Sequence, residues 1–352
     1  MYRIFSVLIG VGASAVALAL PAGAAAQSVA APGAPTAVRE YAGTIVFSQF
    51  DAASASWSLA VRRVGAAQPE RLPVASSPTP FDADIGPDGR GRPAMIYQRC
   101  AGSPQVPTGC DLFVFSLDGG SGERAIRNAN DPHNDDVHPT LWHGRIAWTR
   151  EYSSNPNEPN PIVYTKTLTA TRSLPSTRLP GVPRRRCGDV NRGCGPTTGR
   201  RVEALELWGK NLAMTVAYGC GSCSGIGQRE LRLVDVVDRT ARQVAFQVTG
   251  LSGQSLIGPS FFAGRLGWYK ACLGDPSGCR QGRGQPLRYR LSTRRYTKGA
   301  PGPVRVDGFA DSGSQLYEVT GCAFGSEGAF DASCRIDAVP APAYAPVRAP
   351  LR

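Results

Sequence analysis

A turn residue followed by an alternating apolar strand recurs six times along the chain, and this repeat leaves few architectures open. The copies are Gly43-Thr-Ile-Val-Phe47, Pro93-Ala-Met-Ile-Tyr97, Gly144-Arg-Ile-Ala-Trp148, Lys210-Asn-Leu-Ala-Met214, Gly264-Arg-Leu-Gly-Trp268 and Ser314-Gln-Leu-Tyr-Glu318. Their starts are separated by 50, 51, 66, 54 and 50 residues. A near-constant period of this length marks a repeat architecture, built from units that cannot bury their own apolar faces. Before each copy lies a segment suited to an innermost strand: Val38–Tyr41, Phe81–Ile85, His138–Trp142, Val202–Trp208, Leu256–Phe262 and Val306–Phe309. After it come a variable loop and a second alternating strand: Trp57–Val64, Asp111–Leu117, Ile162–Leu168, Glu230–Val236, Leu287–Leu291 and Arg335–Val339. A weaker fourth strand follows, as at Glu70–Val74 and Ala241–Phe246. Four strands in a repeat of about fifty residues is the pattern of a propeller blade. The expectation is therefore an all-β chain, a six-bladed β-propeller of four-stranded antiparallel blades over residues 38–340. Helical periodicity of useful length is missing, and 41 glycines with 29 prolines suit short strands joined by turns. Phe47, Tyr97, Trp148 and Trp268, which end four of the strands, are expected to pack between blades rather than against a ligand.

Two stretches resemble a known repeat. Phe81-Asp-Ala-Asp-Ile-Gly-Pro-Asp-Gly89, then Ala94-Met-Ile-Tyr97, then Cys110-Asp-Leu-Phe-Val-Phe-Ser-Leu-Asp-Gly-Gly120 is similar to the WD40-like repeat of TolB-type propellers. There a Ser-Pro-Asp-Gly turn precedes an apolar strand and a strand ending in Asp-Gly-Gly follows; here Gly86 stands for the serine. Asp136-Val-His-Pro139 through Trp142 resembles the same lead-in, with His143-Gly144 in place of the turn. The likeness is good in the second and third repeats and weaker in the others. It implies a fold and an extracytoplasmic setting, and it transfers no function.

The first residues read as a secretory signal. Arg3 precedes an apolar run from Ile4 to Leu20, and Ala22-Gly23-Ala24-Ala25-Ala26 satisfies the small-residue cleavage rule, with a cut expected after Ala26. Residues 1–26 thus read as a signal peptide, an uncleaved anchor being the alternative, and no later stretch reaches the length of a membrane span. Residues 27–37 read as an Ala/Pro-rich linker. The Pro/Ala-rich tail 341–352 is expected either to close the last blade or to hang loose.

Ten cysteines fall into close pairs: Cys100/Cys110, Cys187/Cys194, Cys220/Cys223, Cys272/Cys279 and Cys322/Cys334. In an exported chain an even count reads first as local disulfides. A zinc site built from Cys187, Cys194, Cys220 and Cys223 is the rival, and those four could also cross-pair. Placed on the propeller, four pairs sit at the hairpins between second and third strands, and Cys187/Cys194 lie in the connection entering blade four. All ten then share one rim, a candidate recognition surface or simply loops stapled against proteolysis.

Lysine and arginine exceed aspartate and glutamate by 39 to 27, a net charge of +12. Outside the cell such a surface favours acidic envelope polymers over nucleic acid, although a basic soluble protein is the plainer reading. The insertion Arg178–Arg201 that stretches one period to 66 residues carries Arg184, Arg185, Arg186, Arg192, Arg200 and Arg201, a candidate anion clamp or a solvated charge run. Asp84, Asp136, His138, Glu203 and Asp307 lie near the starts of inner strands and are candidate channel residues. His133, His138 and His143 stand five apart, a spacing that suits neither one helix face nor one strand face, so no metal is expected. The sequence implies no cofactor. Gly-x-Ser-x-Gly and His-Glu-x-x-His are both missing, and Cys220-Gly-Ser-Cys223 lacks the βαβ context of a redox pair. The leading expectation is an exported, monomeric, non-catalytic propeller that binds an unknown protein or an anionic envelope polymer. The alternative is an extracytoplasmic hydrolase or lyase using carboxylates at the central channel.

Overall fold

The computed structural model describes residues 26–103, 106–119, 122–152, 160–168, 176–180, 199–219, 226–248, 254–272, 283–303, 305–322 and 333–347. Among these, every regular element is a strand and no helix occurs. The signal region 1–25 and the candidate anion-binding residues Arg184, Arg185, Arg186 and Arg192 lie outside the described residues. So do Cys187, Cys194, Cys220, Cys223 and Cys279, five of the ten cysteines expected in local pairs.

After β1 (Gln27–Ala30), blade one is β2 (Val38–Tyr41), β3 (Thr44–Asp51), β4 (Ser56–Arg62) and β5 (Glu70–Arg71). Blade two is β6 (Ala83–Pro87), β7 (Pro93–Ser103), β8 (Val106–Ser116) and β9 (Glu123–Ala125). Blade three is β10 (Asp135–Trp142), β11 (Arg145–Tyr152), β12 (Asn160–Thr167) and β13 (Thr177–Arg178). Blade four is β14 (Arg200–Trp208), β15 (Asn211–Gly219), β16 (Ile226–Asp235) and β17 (Ala241–Val248). Blade five begins with β18 (Gln254–Phe262), β19 (Arg265–Cys272), β20 (Gln285–Arg290) and β21 (Arg295–Lys298). Blade six contains β22 (Gly308–Asp311), β23 (Gln315–Thr320) and β24 (Arg335–Pro340), and β25 (Ala345–Val347) ends the order. Pairing is antiparallel within each sheet, and the first strands β2, β6, β10, β14, β18 and β22 touch one another in ring order. The chain is a six-bladed β-propeller.

Alternation explains why the ring forms. In β3, Ile45 and Phe47 point toward blade six, and Val46 between them points toward blade two. Successive side chains face opposite sides of a strand, so each blade has two apolar faces and must be sandwiched. Six apolar clusters fill the six seams. Phe47, Tyr97, Trp148 and Trp268 are all buried within them. Large aromatics remove roughly 150–250 Å² each from water, which makes these positions main contributors to blade adhesion.

Two segments differ from expectation. Residues 27–30 are not linker: β1 pairs with β24 and supplies the outer strand of blade six. The tail does not close that blade; β25 adds to β21 and gives blade five a fifth strand. The outer edge of β24 carries unpaired backbone groups that need a partner. Taking that partner from the start of the chain ties blade six to blade one.

Bulges in the inner strands set up the channel. The register of β10 on β11 shifts between Val137 and Thr140, that of β14 on β15 between Val202 and Ala204, and that of β18 on β19 between Ile257 and Ser260. A bulge re-aims the side chain it carries. The residues inside these three shifts include His138, Glu203 and Gly258.

Candidate functional site

Residues of blades one to four meet at the centre of the channel. Arg39 of β2 crosses it: its Nη1 donates to Pro259 O of blade five (3.1 Å) and its Nη2 to Leu205 O of blade four (3.4 Å). Its Nε stands 3.5 Å from Glu206 Oε2, beyond good hydrogen-bond length. Asp84 joins blades two and three, its Oδ2 accepting from Thr140 Oγ1 (2.7 Å) and Leu141 N (2.8 Å). Burial and the neighbouring Asp84 push the Glu206 carboxyl well above the usual range, against the pull of Arg39. Burial raises Asp84 as well, opposed by Arg39 and its hydrogen bonds. One guanidinium therefore serves two buried carboxyls, and their mutual repulsion adds to the cost of burial.

Toward the rim that carries the hairpins between second and third strands, a cavity of about 250 Å³ is lined by Arg39, Asp82, Glu203, Arg229 and Asp307. Its charges are matched within the protein. Glu203 takes both forks of Arg229 (2.5 and 2.7 Å). Asp307 Oδ1 accepts from Arg305 Nε (3.0 Å) and Nη2 (2.8 Å), while its Oδ2 is buried without a hydrogen bond. Burial raises the Asp307 carboxyl despite that arginine. His138 adopts φ 52° at its bulge and sets Nδ1 2.6 Å from Asp82 Oδ2. Burial alone would lower the imidazole, yet Asp82, with Glu151 and Glu203 beyond it, raises it above its ordinary value.

Asp136 lies elsewhere. Its carboxylate accepts from Trp148 Nε1 (2.7 Å), Arg150 Nε (2.8 Å) and Asp131 N (2.9 Å), so it braces blade three and its entry loop rather than the channel. The structure thus brings Asp82, Glu203 and Asp307 to one cavity, with His138 joined to it only through Asp82, sets Asp84 a layer deeper with Arg39 and Glu206, and leaves Asp136 outside. Among the described residues no cluster of three metal-ligating side chains occurs. At the rim end of β14, Arg200 is half-buried and Arg201 exposed.

The same rim holds the described cysteines. Cys100 bonds to Cys110 across the β7–β8 hairpin and Cys322 to Cys334 across β23–β24. Cys272, at the end of β19, is also disulfide-bonded; Cys279, the partner expected for it from the sequence, lies outside the described residues. Cys100 and Cys110 pack on Val137, and Cys110 N donates to Asp135 Oδ1 (2.9 Å), which fastens the blade-two hairpin to blade three. Disulfides of this kind fit an oxidising compartment outside the cytoplasm. No helix among the described residues is long and apolar enough to cross a membrane.

The opposite mouth holds a larger feature. A basin of about 600 Å³ opens where the inner strands turn back, and Tyr41, Trp142, Trp208 and Phe262 stand in its lining. Each is the last residue of its inner strand, in blades one, three, four and five. In three of these blades the turn that follows places both central residues at positive φ: Ala42 and Gly43, His143 and Gly144, Ala263 and Gly264. Such type I′ turns match the strand twist and favour glycine, which explains the recurring turn residue. The Trp142 and Trp208 rings pack at 3.9 Å between centroids and 36°, and Tyr41 meets Trp142 edge-on at 5.9 Å and 83°. Glu206 forms part of the floor, so the Arg39–Glu206 layer lies between the two cavities. Sequence reasoning missed this basin. Its signal is an aromatic directly before the turn in four repeats, a position that only the closed ring gathers at one mouth.

No protein-family model matches the chain, and no curated protein matches it by sequence. Solved structures do match in fold. Phage phi92 endosialidase superposes with a TM-score of 0.51 at 9% identity, over 90% of this chain and 69% of that one. TolB from Acinetobacter baumannii gives 0.46 at 12% identity, over 88% of this chain and 67% of TolB. A puromycin-hydrolyzing peptidase of Mycobacterium tuberculosis gives 0.46 at 10%, over 93% of this chain but only 56% of the peptidase. The ring is TolB-like in architecture. At these identities the likeness is one of fold alone and does not decide between binding and catalysis.

Proposed function

We propose that this protein is an exported, non-catalytic binding propeller, acting as a monomer outside the cytoplasm and seating its ligand at the aromatic mouth of the channel. The observation that carries the reading is the state of the channel carboxylates. A general acid or base needs a free approach to the substrate proton. Here Glu203 is bidentate to Arg229, Asp307 is held by Arg305, Asp82 by His138, and Asp84 by Thr140 and Leu141 N. Arg39 further closes the passage between the two cavities. The cavity at the aromatic mouth is the larger of the two, about 600 against about 250 Å³. The net charge of +12 favours an anionic envelope partner.

Retention of envelope material on immobilised protein tests this. Wild type is expected to retain material that a Trp142→Ala/Trp208→Ala variant of normal circular dichroism does not, and to release it chemically unchanged. Conversion of the retained material, lost in Asp307→Asn, would establish an enzyme instead.

A further inference from the structure

We propose that the basin at the aromatic mouth is a glycan site, taking one or two pyranose rings on a platform made by Trp142 and Trp208. The inference rests on the binding reading above and names the chemical class of the ligand. A pyranose has a face of C–H groups and a perimeter of hydroxyls, so its site needs an exposed aromatic surface beside planar polar side chains. Four aromatic strand ends supply the first, and their arrangement selects among ligands. Trp142 leans on Trp208, and the edge of Tyr41 meets Trp142. Rings that pack on one another offer a platform, whereas a cage for an organic cation needs ring faces arranged around an empty centre.

The rest of the basin supplies hydrogen bonds. It continues from the platform along the seam between blades one and six, past Glu40, Arg62, Ser314 and Gln315. The Arg62 guanidinium makes no hydrogen bond or ion pair among the described residues, and its Nε is buried. Glu206 Oε2, on the floor, is also buried without a hydrogen bond, and Glu206 is 7% exposed. Glu206 Oε2 keeps Arg39 Nε at 3.5 Å as its ion-pair partner, so it is the Arg62 guanidinium in the basin wall that favours an occupant bearing hydroxyl or carboxylate oxygens. Burial, with Asp311 nearby, raises the Glu40 carboxyl against the hydrogen bond that its Oε1 accepts from Gly43 N (2.6 Å). Val64, 72% exposed on the same wall, gives the trough an apolar lip. At about 600 Å³ the space falls within the usual range for small-ligand sites.

Tryptophan fluorescence titration of the mature, oxidised protein tests the site, with chitobiose, maltotriose and digalacturonic acid as glycan probes and tetramethylammonium as the cation probe. At least one glycan is expected to saturate the signal below about 10 mM, with Trp208→Ala weakening it roughly tenfold or more and Trp208→Phe restoring part of the loss. Arg62→Ala should weaken digalacturonic acid more than the neutral sugars if the bound glycan is acidic, and all three equally if it is neutral. Saturation by tetramethylammonium alone, or by no glycan, overturns the proposal, as does unchanged affinity in a folded Trp208→Ala variant. Chromatography of the recovered sugar separates the two readings. A cleaved glycan keeps the glycan site and ends the non-catalytic reading. Envelope retention without glycan binding ends the glycan site alone.

Discussion

Glu318 is a buried acid whose neutralisation should stabilise the propeller, and only at high pH. It lies on β23, 4% exposed, directly across the ladder from Asp337 on β24. Like charges directly opposite on neighbouring strands repel. Burial, with the repulsion of Asp337 added, raises the Glu318 carboxyl from 4.5 to about 7. Between those values the folded chain holds a proton that the unfolded chain releases, so stability falls as pH rises through the window and levels off above 7. A shift from 4.5 to about 7 corresponds to about 3 kcal/mol. Glu318→Gln keeps the shape and removes the charge. Wild type and variant should unfold at nearly the same temperature at pH 4. At pH 8 the variant should gain about 3 kcal/mol relative to wild type, or roughly 4 °C for a chain of this length. Thermal unfolding followed by far-ultraviolet circular dichroism in non-reducing buffer measures the difference. A gap that does not change with pH, or a variant less stable at pH 8, would refute the reasoning.

Three further outcomes follow from the same geometry. Asp311→Ala should cost about 3–5 kcal/mol in denaturant titration, because Arg288 donates to both Asp311 oxygens at 2.6 Å and both residues are buried; a loss below about 1 kcal/mol would place the pair among solvent-exposed bridges. Gly313→Ala should lose about 1–3 kcal/mol by overpacking, since φ is +90° there and a Cβ would come within 2.0 Å of the Phe262 ring; unchanged stability would mean the ring is not held against blade six. Cys322→Ser should lower stability by about 2–3 kcal/mol under oxidising conditions, the bridge to Cys334 closing a separation of 12 residues; equal stability of oxidised wild type and variant would contradict this.

Much of the fold was legible because propeller physics is written locally. The sequence pattern places the inner strand Val38–Tyr41 at its observed bounds and the others within a few residues, since a turn residue and alternating apolar positions announce each edge. The β1 segment was not legible. Gln-Ser-Val-Ala lacks an apolar stripe, and it is a strand only because β24 offers it an edge. The site was harder still. Asp136 and His138 sit two apart, so plain alternation would aim them alike. The bulge between Val137 and Thr140 breaks that parity, leaving Asp136 with Arg150 and His138 with Asp82. Arg39 looks like an ordinary charged strand residue, and its reach to Leu205 and Pro259 depends on the width of the closed ring. Tyr41, Trp142, Trp208 and Phe262 were visible as strand ends, but nothing local shows that four blades deliver them to one mouth.

On the reading proposed above, the aromatic mouth, rather than the cysteine-bearing rim, receives the ligand. Hydrogen–deuterium exchange with and without the retained envelope material tests it most directly. Protection is predicted at the turns following Tyr41, Trp142, Trp208 and Phe262, with the hairpins around Cys100–Cys110 and Cys322–Cys334 unchanged. Protection confined to those disulfide-bonded hairpins would contradict the account and move the binding face to the other side of the ring.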